Sequence, residues 1–355
     1  MIQLDSTAAK KFAVHLEGYE GIGGELVKNG DFSEIGSDLV QNGDFAEIGS
    51  ELVTNGDFSA TGSNLITNPN FTDTGSELVT NNDFSNGTTD WTDEGSSTIS
   101  VGTHEGRSNV ADINITGTST GDVISHSFSW TEGSSYKVTC DVYVVSGSFR
   151  IDSAGSVSSN DFVSTNTLGE WQTLTGYVTS NITGSQDFWL RSMLDGATGE
   201  VSQFYVDSVS IKELGEDWTS YELGTSNVTF GENVAELNID ALNRNVGIYQ
   251  ENIFSVGKSY KIVLSMKATA SFDAEILEAN NASIETSIGT ASLTTSYQDF
   301  TYYFTATGTF DLFIHRLSTA SGASQTIYVQ SVVVQELGED WTVVDDTNTF
   351  GANGL

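Results

Sequence analysis

The chain has 355 residues, with 48 acids against 13 bases and a formal net charge of −35. That balance excludes binding to nucleic-acid phosphates or to an anionic membrane surface, since both need clustered Lys and Arg. A single cysteine, Cys140, excludes an intrachain disulfide, and one proline among 36 glycines suits an all-β chain of short strands and many turns.

Residues 1–24 match nothing downstream. Lys10, Lys11 and His15 interrupt any apolar stretch that could serve as a signal peptide. No run approaches the roughly 18 apolar residues of a membrane span. The expectation is assembly in a cytoplasm, without membrane insertion. Phe12, Val14 and Leu16 alternate, as in a short strand added to a partner's sheet, so this leader reads as an attachment segment or a frayed terminus.

Residues 25–84 speak one 13-residue phrase five times. ELVKNGDF from Glu25 returns as DLVQNGDF from Asp38, ELVTNGDF from Glu51, NLITNPNF from Asn64 and ELVTNNDF from Glu77. A leucine ladder (Leu26, Leu39, Leu52, Leu65, Leu78) and a phenylalanine ladder (Phe32, Phe45, Phe58, Phe71, Phe84) keep register throughout. A copy has about three apolar side chains, worth roughly 5–9 kcal/mol when buried. Ordering it costs at least about 13 kcal/mol, at about 1 kcal/mol per residue. One copy cannot fold alone. The ladders are expected to be buried, by stacking within the chain as a solenoid or between chains as a stalk.

From Phe84 onward a longer repeat takes over. Trp91, Trp218 and Trp341 recur in Asp-Trp-Thr, and Ser135-Tyr136-Lys137-Val138 returns as Ser259-Tyr260-Lys261-Ile262. FYVDSVSIKELGEDW from Phe204 returns as IYVQSVVVQELGEDW from Ile327. Two copies of one domain are read at 85–214 and 215–337, with 338–355 opening a third as a stub, cap or tail. Within a copy, alternation is period-two. Tyr136, Val138, Cys140, Val142 and Val144 share one face, and Lys137, Thr139, Asp141 and Tyr143 the other. Such strands indicate antiparallel sandwiches with Cys140 in the core.

No catalytic constellation stands out. His15, His104, His126 and His315 lie in unrelated contexts, and there is no GxSxG elbow or phosphate-cradling loop. The chain reads as a non-enzyme. Binding has more support. Asp187-Phe188-Trp189-Leu190-Arg191 aligns with Asp311-Leu312-Phe313-Ile314-His315, which pairs an outward aromatic with a hydrogen-bond donor. Trp189 and Arg191, with Lys137, Asp141, Tyr143 and Trp171, form the expected sugar platform; a packed face or a subunit contact is the other reading of the same residues.

NNDFSNGTTDW at 81–91, then SYKV, GEWQTLTGYV and FYVDSVSI, resemble the jelly-roll carbohydrate-binding modules. The resemblance covers 85–337 as two copies. It implies an all-β protein: a stalk or solenoid of β-repeats followed by two tandem antiparallel jelly-roll sandwiches. It also implies a structural calcium bridging first and last strands, with a Glu after the Phe as one ligand. Ser85 stands there instead, and Gln330 replaces Asp207 in the second copy, so Asp83 and Asp207 are the carried-over metal ligands. Tandem modules behind a repeated ELVTNGDF phrase also look like bacteriophage fibre and virion-appendage proteins. On that resemblance the chain is a structural virion protein, a homotrimer attached to other virion proteins by its leader and binding host-surface glycan. A bacterial carbohydrate-binding adhesin or accessory module is the alternative.

Overall fold

The computed structural model describes residues 61–72, 74–153, 162–195, 198–240, 246–280, 283–316 and 324–338, all within one compact unit. The leader, copies one to three of the phrase (with Leu26, Phe32, Leu39, Phe45, Leu52 and Phe58) and the residues after 338 lie outside that set.

Among the described residues every regular element is a strand. Two short strands come first, β1 (Thr61–Asn64) and β2 (Thr74–Glu77). The first domain follows as β3 (Thr92–Glu94), β4 (Ser97–His104), β5 (Arg107–Ile115), β6 (Val123–Trp130), β7 (Ser135–Ser146) and β8 (Phe149–Ser153). It continues as β9 (Val163–Thr165), β10 (Trp171–Thr179), β11 (Gly184–Arg191), a small hairpin β12 (Leu194–Asp195) and β13 (Thr198–Gly199), and β14 (Ser202–Leu214). The second domain repeats the series as β15 (Thr219–Glu222), β16 (Asn227–Gly231), β17 (Val234–Ile239), β18 (Val246–Gln250) and β19 (Ser259–Ala268). It closes with β20 (Phe272–Asn280), β21 (Ser283–Leu293), β22 (Gln298–Thr305), β23 (Asp311–Arg316) and β24 (Gln325–Leu337).

Each domain is a jelly-roll sandwich of two antiparallel sheets. In jelly-roll 1, β10-β7-β14-β5-β4 faces β3-β6-β11-β8-β9; in jelly-roll 2, β22-β19-β24-β17-β16 faces β15-β18-β23-β20-β21. The period-two alternation is realised strand by strand. Val138, Cys140, Val142 and Val144 are buried in jelly-roll 1 while Lys137, Asp141 and Tyr143 face out, and Ile262, Leu264 and Met266 repeat the pattern in jelly-roll 2. Burial pushes the Cys140 thiol well above its ordinary pKa, which makes it an inert core residue.

The last two copies of the phrase do not form a stalk. Each closes one jelly-roll. The final strand of either domain is 13 residues long, and its β5 or β17 neighbour covers only the first part of one edge. An uncovered edge leaves backbone N–H and C=O groups unpaired. Copy five covers the remainder in jelly-roll 1: β2 pairs with β14, Leu78 N donates to Ile211 O at 3.0 Å, and Val209 N donates to Asn82 O at 2.9 Å. Copy four does the same for jelly-roll 2, although jelly-roll 1 lies between them in sequence. There β1 pairs with β24, Leu65 N donates to Val334 O at 2.8 Å, and Val332 N donates to Pro69 O at 2.9 Å. The first side chain of each copy joins in. Asn64 Oδ1 accepts from Val334 N at 2.9 Å, and Glu77 Oε1 accepts from Ile211 N at 3.0 Å.

The phenylalanine ladder is buried as expected where it is described, with Phe71 at 1% and Phe84 at 0% exposure. The leucine ladder is not. Leu65 is 38% exposed and Leu78 only partly buried, whereas their neighbours Ile66 and Val79 enter the two cores. Consecutive residues of an extended segment point to opposite faces, so only one of a Leu-Ile or Leu-Val pair can go in. The boundaries shift accordingly: copy five belongs to the domain read as 85–214, and copy four to the domain read as 215–337.

Candidate functional site

The expected platform is divided by the structure. Trp189 and Arg191 lie on β11, whereas Asp141, Tyr143 and Lys137 on β7 and Trp171 on β10 belong to the opposite sheet. Phe188 and Leu190 point into the core between them, so their alternating neighbours face away from the other group. Arg191 is also not free for a ligand. It is buried at 6% exposure, its Nε donates to Asp152 Oδ2 at 3.1 Å, and its Nη1 donates to the Thr120 carbonyl at 2.8 Å. Arg150 contacts the same carboxylate, and the Trp189 ring covers the Arg191 guanidinium at 4.9 Å. This is a buried ionic cluster that ties β8 to β11.

Lys137 separates too, since it sits six residues from Tyr143, about 20 Å along an extended strand. What stays together is Tyr143, Trp171 and Asp141, and three residues join them that sequence reading did not single out: His104, Arg107 and Tyr205. The registers place Asp112, Tyr205, Tyr143 and Trp171 in one row across β5, β14, β7 and β10. His104, from the end of β4, stacks on Tyr205 with centroids 3.6 Å apart, and meets Tyr143 edge-on at 4.6 Å. Arg107 lies over the Trp171 ring at 4.1 Å, with salt bridges to Asp141 at 3.2 Å and Asp207 at 2.8 Å. Thr173 Oγ1 also donates to Asp141. His104 Nε2 and Trp171 Nε1 are buried without a protein hydrogen-bond partner, each a desolvation cost of about 1–3 kcal/mol.

Jelly-roll 2 carries an equivalent row at the matching positions. Glu236, Tyr328, Lys267 and Tyr297 follow one another across β17, β24, β19 and β22, with Lys267 adjoining Tyr297 just past the β19–β22 pairs. Lys267 Nζ lies 4.6 Å from the Tyr297 ring centre and 4.9 Å from that of Tyr328. Burial raises the Glu236 carboxyl pKa, and the Lys267 ammonium pulls it part of the way back. Both rows thus run acid, tyrosine, central polar side chain, aromatic; Arg107 lies over Trp171 in the first, and Lys267, itself the central residue, lies beside Tyr297 and Tyr328 in the second.

The counterpart of Arg191 in jelly-roll 2 is His315, which is 2% exposed and packed beside Phe313 and Tyr221. Burial, with a smaller effect from the Arg316 charge, lowers its pKa from 6.5 to about 4. A lowered folded-state pKa means that the unfolded chain takes up the proton first. Stability from neutral His315 is therefore complete above about pH 6.5 and lost as pH falls through 4. The loss reaches about 3 kcal/mol. Thermal unfolding between pH 7 and 4.5 should show the jelly-roll 2 midpoint falling, and His315→Gln should flatten that slope.

The residues carried over for calcium do not fit that ion. Asp83 accepts from Ser85 N at 3.1 Å and Ser85 Oγ at 2.7 Å, which lowers its pKa. Asp207 is held by Arg107. Among the described residues no three metal-binding side chains converge, whereas Ca²⁺ takes six to eight oxygens.

A family model described as a carbohydrate binding domain matches residues 76–194. The match opens one residue before copy five, in agreement with that copy being part of jelly-roll 1. No curated protein matches the chain. Among solved structures, the tandem CBM22-1–CBM22-2 domain of Paenibacillus barcinonensis Xyn10C is 13% identical, with 75% of this chain and 98% of that one covered and a TM-score of 0.31. The N-terminal cellulose-binding domain of Cellulomonas fimi β-1,4-glucanase C is 16% identical over 34% of this chain and 90% of its own, with a TM-score of 0.30. A CBM29-2 mutant complexed with mannohexaose is 14% identical over 35% and 83%, with a TM-score of 0.28.

Proposed function

We propose that the chain is a non-catalytic carbohydrate-binding protein, with one glycan site on the β7-bearing sheet of jelly-roll 1 and one on the β19-bearing sheet of jelly-roll 2. The observation that carries this reading is the recurrence of the acid–tyrosine–polar–aromatic row on the same outer face of both domains. The cores are filled from the inner faces, so packing does not call for these aromatics. A row of half-buried rings with charged partners suits a sugar, whose apolar ring face stacks while its hydroxyls meet Arg107, Asp141 and His104, or Lys267 and Glu236. The family match over jelly-roll 1 supports the same ligand class.

This reorders the two functions expected from sequence. The binding-module reading moves ahead of the phage-fibre reading. Copies four and five find their partners in this chain and so call for no partner chain. The test is a glycan array probed with the full chain and with the double variant Trp171→Ala/Tyr297→Ala. Losing the ring contacts should weaken binding by about tenfold or more, since roughly 1.4 kcal/mol corresponds to a factor of ten. Equal binding by the double variant would sink the assignment of these faces.

A further inference from the structure

Copies four and five occupy two separate grooves in the same way. Each groove has the free edge of a final strand, a tryptophan and a polar side chain from the opposite sheet. Trp91 Nε1 donates to Asn81 O at 3.1 Å, and Trp218 Nε1 donates to Asn68 O at 3.2 Å. The ring of Phe84 packs on Trp91 at 5.0 Å, and that of Phe71 on Trp218 at 5.2 Å. His126 meets Thr80 in one groove, and Gln250 meets both backbone polar groups of Thr67 in the other. The asparagines and phenylalanines adopt the left-handed region, with φ of 48° at Asn68 and Asn81, 57° at Phe71 and 52° at Phe84. A buried phenylalanine held there is unusual, and the matched geometry marks a specific bound shape rather than generic collapse.

Four positions make the contacts: a side-chain acceptor first, a β-branched residue third, Asn fifth and Phe eighth. Copies one to three supply the same set as Glu25, Val27, Asn29 and Phe32, then Asp38, Val40, Asn42 and Phe45, then Glu51, Val53, Asn55 and Phe58. Covalent adjacency does not select the occupant, because copy four reaches Trp218 from 150 residues upstream with a whole domain between them. We propose that the groove along β24 of jelly-roll 2 is a recognition site for the repeated phrase itself. Copies one to three, which carry the same four contact residues, are further ligands for this groove. Two filled grooves, the shared four-position pattern and β-strand addition to an uncovered edge carry this.

A tethered copy competes at an effective concentration on the order of millimolar, so the groove must be vacated to be read. The test uses the full chain with Phe32, Phe45, Phe58 and Phe71 all replaced by Asp, titrated with a fluorescent synthetic peptide of residues 51–63. Saturable binding at one peptide per chain, with a raised unfolding midpoint, is the expected result. The same peptide carrying Phe58→Asp should bind on the order of 100-fold more weakly, equivalent to about 3 kcal/mol. If the variant does not fold alone, refolding it with the wild-type peptide should restore its β-sheet circular dichroism, and the Asp peptide should not. A wild-type peptide that neither binds the folded variant nor rescues an unfolded one overturns the proposal, as does equal action by the two peptides.

Discussion

Trp218→Ala should destabilise jelly-roll 2 by about 3–5 kcal/mol, the usual range for truncating a large buried aromatic. Trp218 is 5% exposed, and its loss removes the ring under Phe71 together with the donor to Asn68 O. Phe71, which also meets the Phe230 ring at 6.1 Å, would lose its support on the Trp218 side, so the groove would lose its floor as well as one contact. In a calorimetric scan the jelly-roll 2 transition should fall by roughly 10–20 °C for a domain of this size, with jelly-roll 1 little changed. Phe71→Ala in the same background should cost less than it does alone, with a coupling of about 0.5–3 kcal/mol. Additive effects would mean that copy four does not seat against Trp218.

The second large effect is expected at the ionic cluster of jelly-roll 1. Asp152→Ala leaves Arg191 and Arg150 buried without the carboxylate they share, and removing one partner of a buried ion pair costs about 3–5 kcal/mol. Asp152→Asn keeps the shape but removes the charge, so it should fall between alanine and wild type. Urea unfolding would measure both. A cost under about 1 kcal/mol for the alanine variant would place these arginines in water rather than in the sandwich.

Arg191 also shows where sequence reading stopped. Alternation along one strand is legible, which puts Val138, Cys140 and Val142 in the core and Tyr143 outside it, and the structure agrees. Which sheet a strand joins depends on long-range pairing that no local pattern encodes. Alternation alone therefore puts Trp189 and Arg191 on the same footing as Tyr143, although the core separates them. An outward charged residue also reads as solvated until its partner is known, and Asp152 lies 39 residues away. Tyr205 and Asp207 could have been placed outward from the alternation of FYVDSVSI, and the register then brings Tyr205 beside Tyr143. His104 and Arg107 gave no such signal, because they flank a hairpin turn at Glu105-Gly106 rather than repeating a pattern.

The phrase at 25–84 was legible as a repeat and as something unable to fold alone. Its partner was not. The energetics of a 13-residue unit call for a neighbour without specifying which. The uncovered ends of the 13-residue final strands β14 and β24 supply that partner, and they show only once the sheets pair. Between Leu and its β-branched neighbour, only the edge pairing decides which one is buried.

The central claim is that each jelly-roll holds one glycan on its aromatic row. Isothermal titration of the full chain with an oligosaccharide selected on the array tests it most directly. The account predicts two sites per chain in the wild type, one in Trp171→Ala, one in Tyr297→Ala and none in the double variant, with Trp189→Ala unchanged at two. Undiminished binding by the folded double variant, or loss of binding in Trp189→Ala, would contradict it.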